Sequence, residues 1–231
     1  MRLLVFDFDG LIVDTETVVF ETWNEIYRSY GAELPLAEWA VCIGTSHQAF
    51  DVYSDLESKW GRPLDRKEMA ARHQLLMTAR LEKLQPRPGV LDYLEDARRM
   101  GIGLALASSS HRKWVMDHLN RLELAEKFQC IRTADDVKNV KPHPELYQRA
   151  LNDMGVSPEQ AIAFEDSPNG IRAAQAAGIY CVAVPNGVTA RLSLDHADSR
   201  LESMADLSLR DLLVRVEKTR KNSSSAITGT R

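Results

Sequence analysis

The chain has 231 residues, 44% of them hydrophobic and 27% charged, with a formal net charge of −4, the composition of a soluble globular protein able to bury a core. The negative balance excludes a general nucleic-acid binder, which needs a basic surface against phosphates, and no apolar stretch approaches the roughly 20 residues that span a bilayer. Three scattered cysteines, Cys42, Cys130 and Cys181, form no CxxC pair or Cys/His cluster, so neither a disulfide framework nor a zinc site is expected, and a reducing cytoplasm suits them.

In chain order, the first element is the apolar run Leu3–Phe6, which reads as a buried strand and is broken at once by "DFDG", with Asp7 and Asp9 two apart. Residues 16–85 then hold no convincing strand but long helical patterns, Thr17–Tyr30, His47–Trp60 and Asp65–Lys83, with three of the four tryptophans, Trp23, Trp39 and Trp60. "LQPRPG", residues 84–89, is a linker marked by two prolines and a glycine. From there short apolar runs alternate with amphipathic stretches. Gly103–Ala107, Ala161–Phe164 and Tyr180–Val184 read as strands, with Phe128–Ile131 a weaker one; Val90–Met100, Trp114–Leu124, Pro144–Met154 and Pro168–Ala177 read as helices. This alternation predicts an α/β fold, a doubly wound parallel sheet with helices on both faces, formed by residues 1–15 and 86–217. Residues 16–85 are then an inserted all-helical unit, and the polar, aperiodic residues 218–231 a disordered tail.

Ligands of an open parallel sheet bind at the carboxyl ends of its strands. Collecting polar residues there gives Asp7 and Asp9 after the first strand, Ser108–Ser110 after the second, Glu165 and Asp166 after Ala161–Phe164, and Lys141 before "PHPELY". Four acids in one cleft repel unless a cation joins them, and an oxygen-only set favours a hard ion; magnesium fits where a substrate phosphate completes the octahedron. Ser108, with the amides that open the next helix, suits a phosphate, and Lys141 can neutralise a phosphate oxygen together with a carboxylate. Gly10 permits a tight turn that swings Asp9 back over Asp7.

Four motifs in order, "DFDGLIVDTE", "LALASSS", "VKPHPELY" and "FEDSPNGIRAAQAAG", resemble the haloacid dehalogenase superfamily of phosphotransferases from Leu3 to about Val216. Within it the chain is similar to the helical-cap branch containing beta-phosphoglucomutase and small sugar-phosphate phosphatases. The resemblance implies that Asp7 is the nucleophile, forming an aspartyl-phosphate and ligating magnesium, and that Asp9 is the general acid and then base, with its backbone carbonyl on the metal. It further implies that Ser108, Ser109 and Lys141 bind phosphate and that Glu165 and Asp166 complete the metal site. Glu16, Gly44, Thr45 and His47 become candidate substrate contacts from the cap, whereas the cap aromatics Trp23, Tyr27, Trp39, Phe50, Tyr53 and Trp60 are expected to be its core. The implied protein is a cytoplasmic, monomeric, magnesium-dependent phosphatase of a small phosphorylated metabolite such as a sugar or polyol phosphate.

Departures from the family decide between its activities. The mutase's cap-helix histidine falls on Val19, its phosphate-clamping arginine on His47, and a nearby lysine on Ile43; a neutral imidazole lacks a guanidinium's bidentate grip, so hydrolysis is expected in place of mutation. A dehalogenase has no use for Asp9 as an acid, and a phosphonate hydrolase needs a cap lysine that "DTETVVFETW" does not offer. A receiver domain shares the acidic pocket but not a helical insertion of about seventy residues. A non-catalytic interaction protein would not need the complete set of chemical groups.

Overall fold

The computed structural model describes residues 1–43 and 50–228, with side chains described through residue 220. Its centre is a six-stranded, all-parallel sheet of β1 (Leu3–Phe6), β2 (Gly103–Ala107), β3 (Cys130–Arg132), β4 (Ala161–Glu165), β5 (Tyr180–Ala183) and β6 (Ser199–Arg200). The spatial order is β3-β2-β1-β4-β5-β6. The chain winds outward from β1 to β3 and returns to place β4 on the other side of β1, so the topological switch point lies between β1 and β4, where α/β sheets bind ligands. Phe6 pairs in register with both Leu106 and Phe164, and the Asp7 N–H continues the ladder to the Phe164 carbonyl at 3.0 Å.

The predicted parallel sheet is thus the observed one, with small differences. β3 starts at Cys130 and not at Phe128, because the Gln129 side-chain carbonyl takes the Leu104 N–H at 2.6 Å in place of a backbone acceptor. β6 has only two residues, too few to leave a periodic signal.

Alternation along β1 divides the core. Leu4 and Phe6 join a cluster with residues of α5 (Val90–Arg99), α6 (Arg112–Arg121) and α9 (Leu209–Thr228), while Leu3 and Val5 join one with α7 (Glu145–Met154) and α8 (Pro168–Ala176). Helices therefore cover both faces, and the strands read as continuous apolar runs because both faces are dry. The helical backbone of α9 runs to Thr228, where the sequence reading places an irregular tail from 218. Leu209, Leu212 and Val216 are fully buried and anchor that helix, and the Glu, Lys and Arg residues that follow are good helix formers.

A third apolar cluster belongs to the segment between β1 and α5, built from α1 (Thr15–Ser29), α2 (Leu36–Trp39), α3 (Val52–Trp60) and α4 (Arg66–Leu81). Asp14, Asp51 and Asp65 cap α1, α3 and α4 with their carboxylates, and Gly61 ends α3 at φ 77°. Trp23, Tyr27 and Trp39 are buried in this cluster and Phe50 and Tyr53 pack against it, whereas Trp60 is more than a third exposed and meets Tyr30 edge-on. Helix α3 begins at Val52, so the first part of the pattern from His47 lies outside the described residues.

Candidate active site

The polar groups converge where the sheet topology turns. Asp7 directly follows β1, Ser108 directly follows β2, Glu165 ends β4 and Asp166 follows it. Asp7, Glu165 and Asp166 present carboxylate oxygens that all lie within 4.8 Å of one another, and all three residues are buried. Lys141, 1% exposed, ion-pairs with Asp7 Oδ1 and with Glu165 Oε1 at 2.6 Å, its ammonium 5.3 Å from the Tyr147 ring centroid. Three buried carboxylates thus share one directly paired ammonium, with the Arg87 guanidinium a second positive charge acting on Asp166.

The electrostatics carry that imbalance. Burial, opposed by Lys141 and reinforced by Glu165 and Asp9, pushes Asp7 from the ordinary 3.8 up to about 8. Burial and the neighbouring Asp7, Glu165 and Glu16, opposed by Arg87, hold Asp166 well above its usual range. Burial alone would lower Lys141, but Asp7 and Glu165 outweigh it and the ammonium is held charged. One cation shared between two carboxylates leaves a deficit of positive charge, not a closed ion pair. The donor set fits a hard divalent cation, which takes oxygen ligands and offsets two charges.

Local structure explains how these groups are held. Gly10 adopts φ 81°, and a Cβ there would meet Asp166 Oδ2 at 2.2 Å, so only glycine lets the β1 turn pass against that carboxylate. Gly170 plays the same part on α8, where a Cβ would fall 1.9–2.1 Å from the Glu165 carboxylate. Ser167 caps α8, accepting from the Gly170 N–H at 3.1 Å. Asn186, beyond β5, donates to Asp166 Oδ2 at 2.7 Å and accepts from the Val188 and Thr189 amides. The Tyr147 hydroxyl donates to Glu165 Oε1. Arg87, in the linker, donates to the Gly10, Val184 and Pro185 carbonyls, tying the β1 turn to the end of β5.

The Asp9 carboxylate faces a different set. Thr15 Oγ1 and Trp114 Nε1 donate to its Oδ1, both at 2.8 Å, and Ser110 Oγ donates to Oδ2 at 2.6 Å, with Ser108 Oγ at 3.4 Å. It is not one of the three clustered carboxylates. Ser108 Oγ also accepts from the Ser110 N–H at 3.0 Å, folding the β2–α6 loop on itself before α6 begins at Arg112; Ser109 lies half-buried on that loop.

Asp7, Ser108, Lys141, Glu165 and Asp166 are therefore assembled at the switch point, with Asp9 joined through the Ser108–Ser110 loop. Glu16 is buried in the first turn of α1, while Gly44, Thr45 and His47 lie outside the described residues. Sequence reasoning collected Ser110 with the serine run but missed Thr15, Arg87, Trp114, Tyr147 and Asn186 as site residues. Asn186 was findable, since it follows a predicted strand; Trp114 and Tyr147 act from helices that read simply as amphipathic.

The comparisons agree with this geometry. A family model described as "Haloacid dehalogenase-like hydrolase" matches residues 4–184. The Bacillus subtilis (strain 168) protein named "Putative phosphatase YhcW" is 46% identical over 213 residues, 92% of this chain and 96% of that protein. A Thermotoga maritima protein named "Phosphorylated carbohydrates phosphatase" is 32% identical over 187 residues, 78% of this chain and 82% of its own length. The crystal structure of "putative beta-phosphoglucomutase from Thermotoga maritima" superposes with a TM-score of 0.72 at 29% identity, over 89% of this chain and 96% of that one. With the fold, the clustered acids and this family match together, the chain belongs to the haloacid dehalogenase-like hydrolases.

Proposed function

We propose that the protein is a magnesium-dependent phosphatase of a small phosphorylated metabolite, of the sugar or polyol phosphate class, working through an aspartyl-phosphate. The observation that carries this reading is the buried Asp7–Glu165–Asp166 cluster served by one shared lysine. Phosphoryl transfer asks for positioning and charge neutralisation more than for covalent chemistry.

In this reading an Asp7 carboxylate oxygen attacks phosphorus, forming an O–P bond as the bond to the leaving oxygen breaks. Asp9 gives its proton to that oxygen, releasing the alcohol, then takes a proton from water as water attacks phosphorus and frees Asp7. The net change is one water consumed, one alcohol and one phosphate released. Lys141 balances charge on Asp7 and the phosphoryl group, while Ser108 and Ser109 hold phosphoryl oxygens. Asp7, Asp166 and Glu165, with the Asp9 carbonyl, would hold magnesium, which when bound would supply positive charge against the phosphoryl group. The helices between residues 16 and 85 act as a cap that excludes bulk water, and Glu16, with Gly44, Thr45 and His47, supplies contacts to the leaving group. Three buried free cysteines suit a cytoplasmic enzyme, and no helix among the described residues is long and apolar enough to cross a membrane.

The likeness to a structure named as a beta-phosphoglucomutase supports a mutase as the second reading. Against it, Val19 and Ile43 lie buried in the apolar cluster of the insert and bring no charge to a second phosphate. Phosphate release from a panel of sugar, polyol and nucleoside monophosphates, with magnesium and then with EDTA, separates the two. EDTA-sensitive release from a few members is expected. Conversion of beta-glucose 1-phosphate to glucose 6-phosphate without release, in the presence of a trace of bisphosphate, would overturn hydrolysis.

A further inference from the structure

The donors on Asp9 are not chemically equivalent. Thr15, Ser108 and Ser110 offer hydroxyls, which rotate and can donate or accept, whereas the Trp114 indole N–H can only donate. It points at Oδ1 from 2.8 Å. A donor-only group favours the carbonyl-like oxygen of a protonated carboxyl, because the hydroxyl oxygen is the poorer acceptor. With Trp114 on Oδ1, the proton of Asp9 is favoured on Oδ2, the oxygen that Ser110 approaches to 2.6 Å and Ser108 to 3.4 Å. That oxygen faces the serine loop at the end of β2.

The indole itself is fixed. Trp114 lies in the first turn of α6, half-buried against the larger apolar cluster, and meets His118 one turn on with ring centroids 4.6 Å apart at 70°. This edge-to-face packing leaves the N–H little freedom to turn away from Asp9. We propose that Trp114 is a positioning residue whose indole N–H orients the Asp9 carboxyl so that the proton delivered to the leaving oxygen sits on Oδ2. The proposal rests on Asp9 being the general acid.

A leaving-group comparison tests it. An alkoxide departing from a sugar or polyol phosphate needs a proton, whereas nitrophenolate from 4-nitrophenyl phosphate leaves without one. The ratio kcat/KM reports the step that expels the leaving group. Trp114→Phe keeps an aromatic ring on His118 but loses the donor, and is expected to lower kcat/KM by about 10- to 100-fold on the alkyl phosphate, part of what general acid catalysis supplies, and by less than about threefold on 4-nitrophenyl phosphate. In an Asp9→Asn background the substitution should add no further selective loss. Should Trp114→Phe fail to fold, benzothienylalanine at 114 replaces the N–H by sulfur with the shape unchanged and is held to the same expectation. Equal losses on both substrates, no loss on either, or the same selective loss without Asp9 overturn the proposal. A wild-type enzyme that releases no phosphate from any substrate overturns the phosphatase reading and the proposal with it, and that failure is seen before any variant is made.

Discussion

Asp7 is the residue on which the proposed chemistry turns, and its surroundings make a specific expectation. It is 6% exposed and shares Lys141 with Glu165. Asp7→Asn keeps the volume and the contact with Lys141 as an acceptor but removes the proposed nucleophile and one of the crowded negative charges. Turnover should fall by at least about four orders of magnitude, as when a nucleophile is lost from an active site, while circular dichroism remains that of the folded protein. Retained multiple turnover would remove Asp7 from the nucleophile's role. A small residual rate without phosphorylated enzyme would instead match binding and electrostatics acting alone.

At the scale of an element, the start of α8 does two tasks in one turn. Ser167 caps the helix, and Gly170 leaves the space that the Glu165 carboxylate occupies. Alanine is the better helix former by about 1 kcal/mol, so Gly170→Ala should not weaken α8 by propensity. Its methyl group nevertheless falls 1.9–2.1 Å from the Glu165 carboxylate and must push it off Lys141 and Tyr147. The magnesium concentration giving half-maximal activity should therefore rise by about tenfold or more, the usual cost of disturbing a metal site's supports. An unchanged magnesium requirement, measured by titration after EDTA treatment, would mean that Glu165 does not serve the metal.

For the whole molecule, the crowded carboxylates make stability depend on pH and metal together. Because Asp7 is raised to about 8 and Asp166 is raised as well, the folded protein holds protons that the unfolded chain releases between about pH 4 and pH 8. Their contribution therefore lowers metal-free stability as pH rises through that window. His118 works in the opposite sense, since burial lowers its pKa and folding loses stability as pH falls below the imidazole's ordinary range. Magnesium should raise the Tm more at pH 8 than at pH 5, because it replaces protons at pH 5 but only relieves repulsion at pH 8. A magnesium effect on Tm that does not grow with pH would show that the ion does not bind this cluster.

The order and type of the strands, and six of the groups at the site, were legible in the sequence for one physical reason. A parallel sheet buried on both faces writes each strand as an apolar run, and whatever polar residue follows a run stands at the carboxyl end, where ligands bind. Asp7, Asp9, Ser108, Glu165 and Asp166 were reached by that rule, and Lys141 by its place before a helix. Tertiary structure alone decided which partners hold them. Trp114 and Tyr147 look from the sequence like ordinary apolar-face residues of α6 and α7, and Arg87 like a linker charge, because a hydrogen bond to a residue on another element, 18 positions away for Tyr147 and 105 for Trp114, leaves no periodicity. Gly170 is an example of the same limit: an unremarkable helix glycine in the sequence becomes, once β4 and α8 are packed, the space in which the Glu165 carboxylate sits.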